Sequence, residues 1–184
     1  MSGTAASIIR GRRTVHDFRP GEVPPEAAIL EAIDHAVWAP NHYLSQPWRF
    51  RLLGPETREL LCLLNADLAR AKGGDKAANH KLQRWRQVPG WLLLSCVRSP
   101  DPVREREDFA ACCCAAQNLM LFLWEKEIGV KWNTGDVTRH PRFFEIIGVD
   151  STLEFTVGLF WYGYAVSVPE TARRPASELL TRLP

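Results

Sequence analysis

Three short stretches of this chain carry side chains able to act together on one ligand: Arg12-Arg13-Thr14, the run Pro40-Asn41-His42-Tyr43-Leu44-Ser45-Gln46-Pro47-Trp48, and Trp132-Asn133-Thr134-Gly135. A phosphate monoester bears close to two negative charges, and neighbouring guanidinium groups can hold it through paired, charge-assisted hydrogen bonds, with a threonine hydroxyl as a further donor. Arg12, Arg13 and Thr14 supply all three groups. Taken alone, adjacent arginines at a helix end are equally explained by solvation and by the helix dipole. The loop from Pro40 to Gln46 adds an amide, an imidazole, a hydroxyl and a second amide ahead of the apolar Pro47-Trp48. Such groups suit the hydrogen-bonding edge and ribityl hydroxyls of a flavin. No second histidine or acid stands at a triad or metal spacing from His42, so taken alone it reads as a structural or surface histidine and not a catalytic base. His80 and His140 sit in polar surroundings and read as surface residues.

The elements that must position these groups follow from periodicity and punctuation. A short helix is expected from about Ala5 to Gly11, delivering Arg12 and Arg13 at its end. Pro24-Pro25-Glu26 opens a second, since proline and an acid both suit a first turn. Its expected core stripe is Ile29, Ile33 and Val37, and Pro40 stops it. Trp48, Phe50 and Leu52 alternate with Arg49 and Arg51 as in a half-buried strand closed by Gly54-Pro55. An amphipathic helix through Leu60, Leu61, Leu64 and Leu68 follows. The polar segment from Lys72 to Gly90 is broken by Gly73-Gly74, with Asp75 expected to cap a short helix reaching Trp85. This segment reads either as a solvated helix and loop or as a place for substrate-specific covering. Trp91 to Val97 is apolar throughout, as in a central strand covered on both faces. Arg104 to Glu127 reads as the longest helix; its Ala110 to Ala116 stretch of alanine and cysteine invites close packing, and Gly129 is expected to end it. Val130 to Trp132 and Leu153 to Trp161 complete the strands, with a short helix from Phe143 to Ile147 between them. The alternation implies an α+β or α/β fold with a mixed sheet flanked by helices.

The 184 residues, 46% hydrophobic and 24% charged, fit one ordinary domain spanning 1–184 with one core. Twenty-three basic residues are interleaved with 21 acidic ones, which argues against a nucleic-acid partner. No apolar run approaches the ~20 residues a bilayer span needs, so no membrane role is expected. Arg10, Arg12 and Arg13 are followed by no hydrophobic segment, so the terminus reads as mature protein and not as a targeting signal. Five cysteines without framework spacing fit a reducing cytoplasm. Cys112-Cys113-Cys114 would fan out by about 100° each on a helix, so no metal site is expected there.

Together the motifs resemble the nitroreductase family, specifically its shorter members: a basic-basic-Ser/Thr start, a Pro-Asp/Asn-His-x-x-x-Gln-Pro-Trp loop, and a late Gly-x-x-Trp-x-Ser/Thr-Gly turn, here Gly129 to Gly135. The match runs from about Ile8 to Tyr164. The resemblance implies an α+β homodimer with two FMN molecules at its interface, each held by both subunits. Arg12, Arg13 and Thr14 would then hold the phosphate, Asn41, His42 and Gln46 would approach the flavin and ribityl chain, and Trp132, Asn133 and Thr134 would add backbone and side-chain contacts. Arg173 resembles the family's C-terminal phosphate-contacting arginine, with Arg174 as the alternative. The chain departs from the family where Val15, His16 and Asp17 replace a common arginine or lysine, leaving open which cation faces the flavin's pyrimidine edge. Asn133 likewise stands where a basic or small residue is common.

The implied activity is that of a cytoplasmic flavin oxidoreductase, in which FMN takes a hydride from NADPH or NADH and passes it to a small electron-poor acceptor, a nitroaromatic or quinone, in a ping-pong cycle. The flavin carries that chemistry, so no catalytic side chain is demanded. The absence of Gly-x-Gly-x-x-Gly argues against a separate nicotinamide domain. Two other readings fit the same residues: a flavin-binding store or sensor without turnover, and a family member with specialised flavin chemistry such as flavin fragmentation or reductive dehalogenation.

Overall fold

A computed structural model describes residues 4–184. Thr4 caps helix α1 (Ala5–Gly11), its side chain accepting from the Ser7 amide, as a threonine does when it replaces a missing intrahelical partner. Then follow α2 (Glu26–Ala36), β1 (Trp48–Leu52), α3 (Pro55–Arg86), β2 (Gly90–Val97), α4 (Pro102–Glu125), β3 (Ile128–Asn133), α5 (Pro141–Ile147) and β4 (Glu154–Tyr164). The strands form one sheet in the order β1-β2-β4-β3. The α+β class expected from the sequence holds. All three strand pairings are antiparallel; the parallel component of the expected mixed sheet is an isolated bridge from Thr14 to Val130.

Alternation along β2 explains the layering. Leu92, Leu94 and Cys96 face α2 and α4 in one core, while Trp91 and Leu93 face α3 and α5 in a second, so the sheet divides in two the single core expected from the sequence. The uniformly apolar run expected to be a central strand thus lies between β1 and β4 with both faces covered. On the first face Ala32 and Ala36 of α2 join Ala111, Cys112, Ala115 and Ala116 of α4. These small side chains let the two backbones approach closely. Cys112, Cys113 and Cys114 are buried, half-buried and exposed in turn, as a helix requires.

Three expectations shift. Val37 is 38% exposed, because the stripe buried by α2 is Ile29, Ala32, Ile33 and Ala36, the i, i+3, i+4, i+7 set of a helix face. Leu60, 49% exposed, is likewise off the stripe set by Leu61, Leu64 and Leu68. Chain reversal after α4 is made by Glu127 at φ 61°, not by Gly129, which lies inside β3. A Cβ at Gly129 would come within 2.4 Å of Val15 Cγ2, so the glycine serves close packing there.

The glycine pair expected to divide the polar segment does so. Gly73 (φ −145°) and Gly74 (φ 71°) break α3 into two arms, and Asp75 receives the Arg70 Nε at 2.9 Å. No helix of the described residues is long and apolar enough to cross a membrane.

Candidate functional site

Arg12 is the C-cap of α1, its amide donating to Ile8 O at 2.9 Å. Its guanidinium is half-buried, and the buried Nε has no partner. Burial, then the charges of Arg173 and Arg13, push the Arg12 guanidinium below its ordinary pKa. Arg13 folds back onto the carbonyls of Arg10 and Arg12, at 2.5 and 2.9 Å. Arg173 donates to Thr171 Oγ1 at 2.7 Å and Ala172 O at 3.1 Å. Among the described residues no carboxylate pairs with any of the three. Such a cluster of like charges is unfavourable unless an anion joins it. The structure brings Arg173 into the field of Arg12 although 161 positions separate them in sequence. Thr14 is exposed, and the Val15 amide, donating to Val130 O at 3.1 Å, holds this segment beside β3.

At the far end of β3 the three expected contacts separate by role. The Trp132 indole N–H donates to Val157 O at 3.0 Å, and its ring packs on Phe160 with centroids 5.2 Å apart. That side chain is therefore committed to the sheet. Asn133 accepts weakly from the Gly135 amide at 3.4 Å, and Thr134, exposed, has its carbonyl fixed by Arg139 at 2.6 Å. The indole needs the bare backbone of Gly158, where a Cβ would lie 2.1 Å from Trp132 Nε1. Gly158→Ala is accordingly expected to cost about 1–3 kcal/mol through overpacking, measured by chemical denaturation, and to displace the turn that follows Trp132.

The third group, the loop after α2, is built on strain and long-range anchors. Tyr43, Leu44 and Gln46 have φ of 55°, 52° and 44°, conformations costing of order 1–3 kcal/mol each outside glycine. Asn41 holds the loop closed: its Oδ1 accepts from the Gln46 amide at 2.9 Å while its Nδ2 donates to Ala39 O at 3.1 Å. His42 Nδ1 meets Glu107 Oε2 at 2.8 Å, and Ser45 Oγ donates to the buried Asp108 at 2.5 Å. Glu107 and Asp108 escape a reading of the sequence because 65 and 63 positions separate them from their partners, and only the seating of the loop on α4 joins them. The expectation that no acid accompanies His42 is thereby corrected. His80 is exposed as expected, whereas His140 is half-buried and caps α5, its Nδ1 accepting from the Arg142 amide at 3.2 Å.

These groups do not converge within one chain. The loop rests on Glu107 and Asp108 near the start of α4, whereas α1 packs near its end, where a Cβ on Gly11 would lie 3.4 Å from Trp124 Nε1. At 1.5 Å per residue those two points of α4 are about 26 Å apart. The loop also enters β1 at one sheet edge, while Thr14 runs beside β3 at the other. What one chain brings together is Arg12, Arg13 and Arg173, with Thr14 tied to β3, and β3 leads on to Trp132, Asn133 and Thr134.

Comparison with known proteins agrees with this architecture. The Nitroreductase family model matches residues 9–164. The Bacillus subtilis protein named "Putative NAD(P)H nitroreductase YfhC" is 31% identical over 171 residues, covering 91% of this chain and 87% of that protein. Among solved structures, a nitroreductase-like family protein from Bacillus cereus superposes with a TM-score of 0.86 at 29% identity, covering 100% of this chain and 97% of the other. A nitroreductase-type protein from Desulfovibrio desulfuricans, crystallised with FMN, gives 0.78 at 20% identity, covering 100% and 99%, a likeness of fold. With most of its length matched to the family model, and with Arg12, the Asn41 to Gln46 loop and the Trp132 turn in the family's order, the chain belongs to the nitroreductase family.

Proposed function

We propose that this chain is an FMN-dependent NAD(P)H oxidoreductase working as a homodimer, with one FMN-binding domain per chain. The observation that carries the proposal is the unpartnered, buried Arg12 Nε amid the charges of Arg13 and Arg173. A phosphate dianion would relieve the repulsion and satisfy the orphaned donor together. When bound, FMN would accept a hydride from NADPH or NADH and, in a ping-pong cycle, deliver it to an electron-poor acceptor such as a nitroaromatic or quinone.

The chain's own residues would hold and orient that cofactor. Arg12, Arg13, Thr14 and Arg173 take the phosphate, and the backbone of Trp132 with Asn133 and Thr134 meets the ring system. Asn41, His42 and Gln46 come from the second copy, since in their own chain the loop is seated near the start of α4 and the arginines near its end, points about 26 Å apart along the helix. Anaerobic addition of NADPH or NADH to the purified yellow protein is expected to bleach its visible flavin absorbance, and an added acceptor to restore it. Flavin that stays oxidised with both nicotinamides would mark a flavin store and end the oxidoreductase reading.

A further inference from the structure

A pocket of about 300 Å³ opens between α3, the end of β3 and β4, with Asn65, Leu68, Lys81, Lys131, Asn133 and Trp161 in its wall. Its polar groups are overwhelmingly donors. The Lys131 ammonium lies 4.8 Å from the centre of the Trp161 ring, and neither Lys131 nor Lys81 makes an ion pair among the described residues. The buried Asn65 Nδ2 and Trp161 Nε1 have no hydrogen-bond partner. Among the described residues the only carboxylate in the wall, Asp136, is held by Lys72 and by Arg139 at 3.0 Å. Burial, then the charges of Arg84 and Lys81, lower the Lys131 pKa, with Asp17 opposing them, so the ammonium gains from an anion brought beside it. Leu68, Trp161 and Trp85 add apolar and aromatic surface.

Two cations without a carboxylate partner beside apolar and aromatic side chains fit one kind of ligand. The volume stands at the lower end for small-molecule sites, enough for one substituted ring and too little for a dinucleotide. We propose that this pocket binds the carboxylate of a small aromatic acid, and that the electron acceptor of this enzyme belongs to that class. The second half rests on the oxidoreductase function proposed above, because Asn133 and Gly135 form one wall and would set the ring beside the flavin. The first half does not.

Benzoate, which cannot be reduced, separates the two. Titrated calorimetrically into FMN-saturated protein, benzoate is expected to bind at least about tenfold more tightly than its neutral isostere benzamide, the scale of one charge-assisted hydrogen bond. Lys131→Met should remove about tenfold of the benzoate affinity while leaving benzamide binding and flavin content unchanged. Lys81→Met, on an exposed helix surface, tests the same charge if the first variant does not fold. Equal binding of benzoate and benzamide, or no effect of either substitution, overturns the proposal. So does loss of FMN from both variants, since the lysines would then hold the cofactor. Benzoate binding in a protein whose flavin no nicotinamide reduces would leave the pocket assignment standing and the acceptor assignment refuted.

Discussion

Replacing Arg12 and Arg13 together by alanine is expected to produce a folded, colourless protein. Each guanidinium lost removes a charge-assisted hydrogen bond to phosphate of roughly 1.5–3 kcal/mol, so FMN affinity should fall by about 100-fold or more. Stability without cofactor should move far less. Arg12 is half-buried, its Nε is unpartnered, and Arg13 and Arg173 repel it, so truncation removes an unfavourable arrangement along with some packing by the side-chain stem. The thermal midpoint of the flavin-free variant is expected within about 3 °C of the flavin-free parent, near the shift produced by 1 kcal/mol in a domain of this size. Equilibrium dialysis against FMN and a thermal melt read the two quantities separately. A double variant that still purifies with a full complement of flavin would remove the phosphate assignment.

Two inactive variants should repair one another. If each site combines the arginine cluster of one copy with the Asn41 to Gln46 loop of the other, Arg12→Ala/Arg13→Ala breaks one half-site and His42→Ala/Gln46→Ala breaks the other. Each homodimer is then deficient at both sites. In a two-fold dimer holding one chain of each kind, one site receives both damaged halves and its mate receives both intact halves. Random pairing makes about half the dimers mixed, so the co-refolded sample should recover about a quarter of the parental flavin. The separation along α4, about 26 Å by helix rise, underlies this expectation. A site contained within one chain predicts no recovery on mixing, and flavin content against mixing ratio tells the two apart.

Most of the local architecture could be read from residue order because it depends on local physics. Pro25 and Glu26 open α2, and Gly73-Gly74 break α3, since backbone conformation and orphaned amides are settled within a few residues. The burial of β2 on both faces was legible in its unbroken apolar run. Where two neighbouring positions compete for one face, local pattern decides less well. Val37 and Ala36 lie about 100° apart on α2, and the close approach of α4 selects the alanine.

By itself, then, the sequence determined the alternation of helices and strands, the order of the elements and the three motifs that chemistry needs, because each is written in contiguous residues. Tertiary structure alone decided which of those residues meet. It put Arg173 within the electrostatic field of Arg12 across 161 positions, set His42 on Glu107 and Ser45 on Asp108, and turned the Trp132 indole into the sheet. It also held the loop and the arginine cluster near opposite ends of α4. Contacts between distant segments are fixed by how helices and strands stack, and nothing in the spacing of residues along the chain encodes that stacking directly.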